Sequence, residues 1–510
     1  MARRECGVAD EGERAKAGKT AGAAHPAPGG AGGFAAQLLV LVAVVTVLRV
    51  LALVFARTDL FFDEAQYWAW AKAPDFGYYS KPPLVAWIIA LTTGLFGDGE
   101  WAVRLAAPLL HGASALVLGL LGRRLYGGRV GLLAAALFLL LPAVSLSSLL
   151  ITTDVPLLLA WSAGLLCLHR WIEGDRLADA VLLGLAIGAG LNAKYAMAFF
   201  PVLVLLHLAM TPGLRGRLAR PGLWLALGLG VAAIVPNLLW NAANAFVTFS
   251  HTRDNAAWAG VTLHPGRMAE FVGAQFGVFG PILFAMLLAA AFGRLASGRP
   301  AADRFLLVFS VPVLLAFTLQ GLLSKANANW GATAYPAATV LVAALLAGGG
   351  LLRRRLLQAT FGLHGVVAAA LLVAPAFAPT LSLPGIGNPF ARVLGWREAM
   401  AAVGEEARER GVRTLVFTRR ADIAAALYYL RGEAFEIAAV PPPPGRPPSD
   451  HFQLSRPFSI DLPAPGLLVV PGNDRLPGTL ATVTLGDPVT VAVGRGVDRT
   501  STLDLLPATW

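Results

Sequence analysis

The residues best suited to chemistry in this 510-residue chain are a few carboxylates and lysines set among aromatics and prolines, between long apolar runs. Positions 57–83 read RTDLFFDEAQYWAWAKAPDFGYYSKPP. If the stretch after Phe62 is helical, Asp63, Gln66, Tyr67 and Trp70 share one face at i, i+3, i+4 and i+7, and Glu64 points elsewhere. An acid, an amide and two aromatics on one stripe suit a sugar ring, and the acid suits a hydroxyl proton. The same pattern also fits an interfacial helix, with rings at headgroup level and an Asp-Glu pair at its N-terminus. Lys81 follows Tyr78 and Tyr79 and precedes Pro82 and Pro83, which stiffen the backbone where an extended segment turns into a helix. A lysine on such a frame can ligate a phosphate or simply snorkel.

Further polar groups recur in later connections. Asp154, in TTDVP, stands just before a helix with proline in its first turn, which suits an N-cap; it also supplies a second carboxylate for acid-base work. Lys194 sits in a tight turn between two apolar runs, where a charge is costly unless paired or functional. His251, Arg253 and Asp254 lie in HTRDNAAW, with Trp258 and His264 beyond. A metal site from His251, Asp254 and His264 is conceivable, although the spacing matches no compact ligand motif. Ser324–Trp330 forms a last polar turn.

What positions these groups is a membrane-embedded bundle. Hydrophobic residues make up 56% of the chain and charged ones 14%, with a mean hydropathy of +0.64, which excludes a soluble globule of this length. The net charge of +11 suits loops facing anionic lipid and gives no reason to expect nucleic acid. Cys6 and Cys167 lie in a polar tail and an apolar run, which disfavours a disulfide. Residues 1–33 read as a disordered cytoplasmic tail. The run 34–56 is too long for a signal-peptide core, and further apolar segments near 101–122, 130–150, 155–172, 177–191, 195–210, 222–240, 268–292, 304–323, 330–350 and 356–378 bring the expectation to about eleven spans. Pro83–Phe96 is shorter and reads as interfacial or re-entrant.

Alternate connections differ in basic residues, as the positive-inside rule requires. The set including the tail, Arg123, Arg124, Arg129, Arg170, Arg176, Arg215, Arg217, Arg220, Arg294, Arg299, Arg304 and Arg353–Arg355 holds nineteen, against seven in the other set. This predicts a cytoplasmic N-terminus, a transmembrane domain over 34–379 with outer loops at 57–100, 151–156, 192–195, 241–267 and 324–330, and an extracytoplasmic region over 380–510. There Trp396–Arg410 and Ala421–Leu430 read as helices, Thr414–Thr418 and Gly466–Val470 as strands, and Pro441–Pro448 as a stiff loop. The expected class is thus a polytopic α-helical membrane protein with a small C-terminal α/β domain.

The ordered set of an outer DE loop (Asp63, Glu64), KPPL (Lys81–Leu84), TTDVP (Thr152–Pro156), Lys194 and HTRDNAAW (His251–Trp258) resembles the polyprenyl-phosphate-dependent glycosyltransferases of the GT-C class. Within it, the set is similar to the glycosyltransferase 39 and lipid A aminoarabinose transferase superfamily. The resemblance runs from the first span to roughly residue 335, and the wording around GYYSKPPL and HTRDNA looks like the bacterial branch that transfers uronic acids or other sugars to lipid A and core oligosaccharide. It implies a membrane enzyme of the bacterial inner membrane, working on its outer face with a polyprenyl-phosphate-sugar donor and an envelope glycolipid or protein acceptor. It assigns Asp63 to the acceptor and makes Asp154 and Glu64 catalytic candidates. Basic residues bind the lipid phosphate, for which Lys81, Lys194 and Arg253 are available; Tyr78, Tyr79, Gln66, Tyr67, His251 and Asp254 complete the expected substrate contacts. The aminoarabinose branch commonly has Glu before KPP, where it helps to bind a divalent metal; here the residue is Ser80, so no metal ligand is assigned and a need for a divalent metal is left open. Protein O-glycosylation is the alternative acceptor reading, and a lipid-linked sugar transporter or flippase the alternative class.

Overall fold

In the computed structural model, residues 31–256, 262–293, 300–472, 474, 480, 483–495 and 500–510 are described. Most of the expected tail and Trp258 lie outside them. The first helix starts at Ala31 and runs to Phe55, so it takes in the last residues assigned to the tail. Seven helices among the described residues are long and apolar enough to cross a membrane, and a bent pair makes an eighth if counted as one span; Leu84–Phe96, Gly128–Leu140, Leu177–Ala193 and Tyr195–Met210 are shorter apolar helices. Gly32–Phe55 is mostly exposed, as a lipid-facing helix is, whereas Tyr335–Ala347 is buried nearly all round and forms the centre of the bundle.

Two segments that read as continuous spans are broken, each at a proline. The run expected over 130–150 is a helix at Gly128–Leu140 followed by a short one at Pro142–Ser147, because Pro142 lacks an N–H and its ring obstructs the preceding turn. Arg49, buried in the first helix, donates to the Leu139 carbonyl that the break sets free, and to Ser145 Oγ at 3.4 Å. The run expected over 268–292 is two helices, Pro265–Val278 and Pro281–Gly293, bent by 119°. Gly280 turns there with φ +92°, and a Cβ at that position would collide with the His364 ring.

The C-terminal domain contains a six-stranded sheet: β1 (Thr414–Phe417), β2 (Glu436–Ala439), β3 (Gly466–Pro471), β4 (Thr484–Leu485), β5 (Val489–Gly494) and β6 (Thr500–Thr509). The order is β2-β1-β3-β6-β4, with β5 also on β6; β1 is parallel to β2 and β3, and β6 is antiparallel to β3. β1 and β3 are buried throughout, hence their unbroken apolar sequences TLVF and GLLVVP. The helices Trp396–Glu409 and Arg420–Tyr429 fall where expected.

This domain is docked on the first loop of the membrane region. Arg420–Tyr429 packs on the helix Phe62–Lys72, Trp68 meets Tyr428 edge to face at 5.0 Å, Leu60 N donates to Tyr429 Oη at 2.8 Å, and Asp59 accepts from Trp396 N at 2.8 Å. The first half of the loop, which bears Asp63 and Glu64, is therefore fixed from the domain side.

Candidate functional site

The helix Phe62–Lys72 places its residues as helical spacing requires. Asp63, Gln66 and Tyr67 line one cavity, and Trp70 lines the neighbouring one. Glu64 points away into a buried cluster. Its oxygens accept from Arg104 Nε at 3.0 Å, Arg104 Nη2 at 2.8 Å, Phe61 N at 2.9 Å and Ile151 N at 3.0 Å. Glu64 lines neither cavity, so the sequence assignment of Glu64 to catalysis is revised: it ties three segments together. Both side chains are 2% exposed. Glu64→Gln leaves Arg104 buried without its counter-charge and is expected to cost about 3–5 kcal/mol of stability. Thermal unfolding in detergent measures this, and the surviving folded protein should keep most of its transfer rate.

The loop carrying Lys81 is anchored on the helices Pro221–Ala243 and Val247–Ala256. Trp240 Nε1 donates to Asp75 Oδ2 at 2.7 Å, Asn237 Nδ2 to the Phe76 carbonyl at 2.8 Å, and Thr248 Oγ1 to the Tyr78 carbonyl at 2.8 Å. Gly77 permits that approach, since a Cβ there would enter the Trp240 ring. Tyr78 turns inward, stacking on Trp70 at 4.5 Å and 3° and donating to the Trp70 carbonyl at 3.1 Å. It lines only the cavity on the far side of that stack, so its place is structural and not the substrate contact the sequence suggested.

Two cavities meet at Lys81. One, about 260 Å³, is polar: Asp63, Gln66, Tyr67, Tyr79, Ser80, Lys81, His251 and Asn255 line it from the membrane region, and Arg420, Ser449, Asp450 and His451 from the C-terminal domain. The other, about 380 Å³, is bordered by Lys81, Lys194 and Gln320 and otherwise largely by apolar or aromatic side chains, among them Pro82, Phe199, Phe317 and Trp330. Ser80, Lys81, His251 and Asn255 line both.

Charge is distributed unevenly around this junction. Lys194 Nζ donates to Asp154 Oδ1 at 2.7 Å, and Asn329 Nδ2 donates to Asp154 Oδ2 at 2.8 Å. Asp154 makes no capping bond; Thr153 precedes the helix, and the carboxylate spans three segments instead. The Lys81 ammonium makes no hydrogen bond or ion pair among the described residues, and burial lowers its pKa, with Lys194 adding repulsion and Asp63 opposing it. Asp63 Oδ1 accepts from Arg420 Nη1 at 2.9 Å, while Oδ2 has no partner among the described residues. Arg420 Nη1 also donates to Gln66 Oε1 at 3.0 Å.

The remaining expected residues divide. Tyr67 faces Asp63 and Arg420 as a neutral phenol, its pKa driven well up by burial and then by Asp63. Tyr79 donates to the Pro448 carbonyl at 2.9 Å and meets His251 edge to face at 5.4 Å. His251 pairs with Asn255 at 2.9 Å, and burial, with Lys81 and Arg420 adding repulsion, lowers its pKa to about 4, so it is neutral at pH 7. Arg253 and Asp254 are exposed, pair with each other at 3.3 Å and line neither cavity; the helix Val247–Ala256 turns them outward, which removes them from the expected phosphate and substrate contacts. With Asp254 turned away, His251, Asp254 and His264 do not form a ligand set, and no group of three or more His, Cys, Asp or Glu among the described residues is placed to hold a metal. The described residues therefore do not fit the metal of the aminoarabinose branch.

Arg420, Asp450, His451 and Asn255 were not anticipated. Arg420 lies in TRRAD at a helix start, where an arginine is unremarkable, and only the docking of the C-terminal domain brings it to Asp63. Asn329 lies in the polar turn already noted, but its pairing with Asp154 spans 175 positions.

This fold is that of a membrane-embedded glycosyltransferase. The chain aligns with ArnT of Cupriavidus metallidurans, bound to undecaprenyl phosphate, at a TM-score of 0.63 with 19% identity, covering 93% of this chain and 98% of that one. Residues 80–240 match the family model described as dolichyl-phosphate-mannose-protein mannosyltransferase. Over 405 residues, 79% of the chain and 85% of the relative, it is 34% identical to the lipid A galacturonosyltransferase RgtD of Rhizobium johnstonii. The chain belongs to the GT-C class of polyprenyl-phosphate-dependent glycosyltransferases, in the lipid A and core branch. An undecaprenyl phosphate-alpha-4-amino-4-deoxy-L-arabinose arabinosyl transferase of Pseudomonas fluorescens is 34% identical over 151 residues, covering 28% of this chain and 27% of that one.

Proposed function

We propose that the protein transfers a uronic acid from a polyprenyl phosphate to lipid A or its core oligosaccharide, on the outer face of the bacterial inner membrane. The observation that carries this reading is Lys81: an unpaired ammonium at the seam between a polar cavity holding Asp63 and an apolar cavity. A polyprenyl phosphate has the same sequence of parts, with a sugar, a phosphate and a hydrocarbon chain. The phosphate lies at Lys81 with Lys194 beside it, the chain among Phe199, Phe317 and Trp330, and the sugar near Tyr67 and Asp63. The lipid A galacturonosyltransferase relative supports both the acidic sugar and the acceptor.

Asp63 Oδ2 takes the proton of the acceptor hydroxyl as its oxygen bonds to the sugar C1. The C1–O bond to phosphate breaks, its electron pair leaves with the phosphate, and Lys81 stabilises the charge that develops. One displacement without a covalent enzyme intermediate inverts the anomeric centre. Asp154 holds Lys194 in place. The cavities are lined by residues of the connections poorer in Lys and Arg, among them those carrying Asp63, Lys81, Lys194 and His251, which supports an outer location.

The test is mass spectrometry of lipid A, core oligosaccharide and secreted proteins from cells with and without the gene. Loss of a uronic acid from lipid A or core is expected. Unchanged glycolipids beside altered glycoproteins would transfer the assignment to protein O-glycosylation.

A further inference from the structure

We propose that Arg420, delivered by the C-terminal domain, reads the carboxylate of the donor sugar and so sets the enzyme's preference for acidic over neutral sugars. The inference rests on the uronic acid reading above and adds the residue that enforces it.

The geometry of the guanidinium is the starting point. Nη1 is committed to Asp63 and Gln66, at 2.9 and 3.0 Å, and the plane lies over the Phe62 ring with its carbon 4.9 Å from the centroid. Nε and Nη2 have no partner among the described residues, although Arg420 lines the polar cavity and its side chain is 34% exposed. Those two nitrogens form the edge of the guanidinium that matches both oxygens of a carboxylate. The other cation lining the cavity, Lys81, is a point charge shared with the apolar cavity, where the phosphate belongs. An acidic sugar thus has two anionic groups to place and finds two distinct cations, one of them a fork.

The cavity offers little else to a sugar carboxylate. His251 and His451 are both held neutral, with pKa lowered chiefly by burial to about 4. Asp450 accepts from Phe452 N and Gln453 N as the cap of a short helix and repels an anion. A neutral hexose would leave the free edge of Arg420 without a partner in the filled cavity, which penalises that donor.

The experiment compares polyprenyl phosphates carrying a hexuronic acid and the corresponding neutral hexose, in membranes containing the full chain. The parent is expected to favour the acidic donor in kcat/KM by at least roughly tenfold. Arg420→Gln should lower kcat/KM for the acidic donor by roughly 10- to 100-fold more than for the neutral one, chiefly through KM, with Arg420→Lys between the two. Arg419→Gln is the control for charge on the same segment, since Arg419 pairs with Asp474 and lies outside the cavity; it should leave the preference unchanged. Equal losses on both donors in Arg420→Gln would mean that Arg420 only positions Asp63, and would overturn the assignment. So would a retained preference. A parent that transfers no acidic sugar while using the neutral one refutes the uronic acid reading itself.

Discussion

Asp63→Asn should lower sugar transfer by roughly 100-fold or more while the protein accumulates and folds normally. Asparagine keeps the shape and one acceptor oxygen, so the contact with Arg420 Nη1 at 2.9 Å survives in neutral form. What is lost is the basicity of the second oxygen, which faces the cavity without a partner among the described residues. The helix Phe62–Lys72 stays docked through Trp68 and Tyr428, a contact that does not involve Asp63. Transfer of radiolabelled sugar from polyprenyl phosphate, normalised to protein in the membrane, measures the effect. Full activity at normal protein level would remove Asp63 as the base. The loss should fall on kcat with donor KM nearly unchanged, because the proton moves only as the acceptor attacks.

The contrast between Asp63 and Glu64 shows what a sequence can carry. Neighbours in a helix point about 100° apart, so their separation into different environments was legible from spacing alone. That Glu64 would meet Arg104 was not, because the partner lies 40 positions on and nothing local marks Arg104 as a buried ion. Asp154 reads locally as a helix cap, and the local reading fails because Lys194 and Asn329 reach it from distant segments. The HTRDNAAW segment looked functional throughout, yet only one face of its helix reaches the cavities, presenting His251 and Asn255 and excluding Arg253 and Asp254.

The apolar runs were equally legible as helices, while their interruptions were less so. Pro142 and Pro281 are visible in the sequence, but proline in a membrane helix is compatible with a continuous span when neighbours repair the lost bonds. At Leu139 the repair comes from Arg49, a residue 90 positions away. The strands β1 and β3 announced themselves as buried apolar runs, whereas β5 and β6 are largely polar or mixed and gave no such signal. The sheet's docking on the first loop, which completes the cavity with Arg420, rests on contacts between surfaces that no periodicity records.

The two lysines should differ in a way that their pairing dictates. Lys81→Ala removes the ammonium that has no protein partner, and a charge-assisted contact with phosphate is worth roughly 1.5–3 kcal/mol, so donor KM should rise about 10- to 100-fold. Lys194→Ala also removes a cation from the apolar cavity, but it strands Asp154, whose repulsion then acts on the same phosphate. Its effect should therefore match or exceed that of Lys81→Ala, and Asp154→Asn, which leaves Lys194 unpaired and free to reach the phosphate, should be milder on donor KM than Lys194→Ala. The lowered pKa of Lys81 adds a pH signature: its charge, and with it donor binding, is lost as pH rises through that pKa, earlier than for an exposed lysine. Donor KM measured against pH should rise on the alkaline side in the parent and lose that limb in Lys81→Ala. An unchanged donor KM in the double lysine variant would make both residues membrane anchors, and the apolar cavity would then have no cation to hold the phosphate at its mouth.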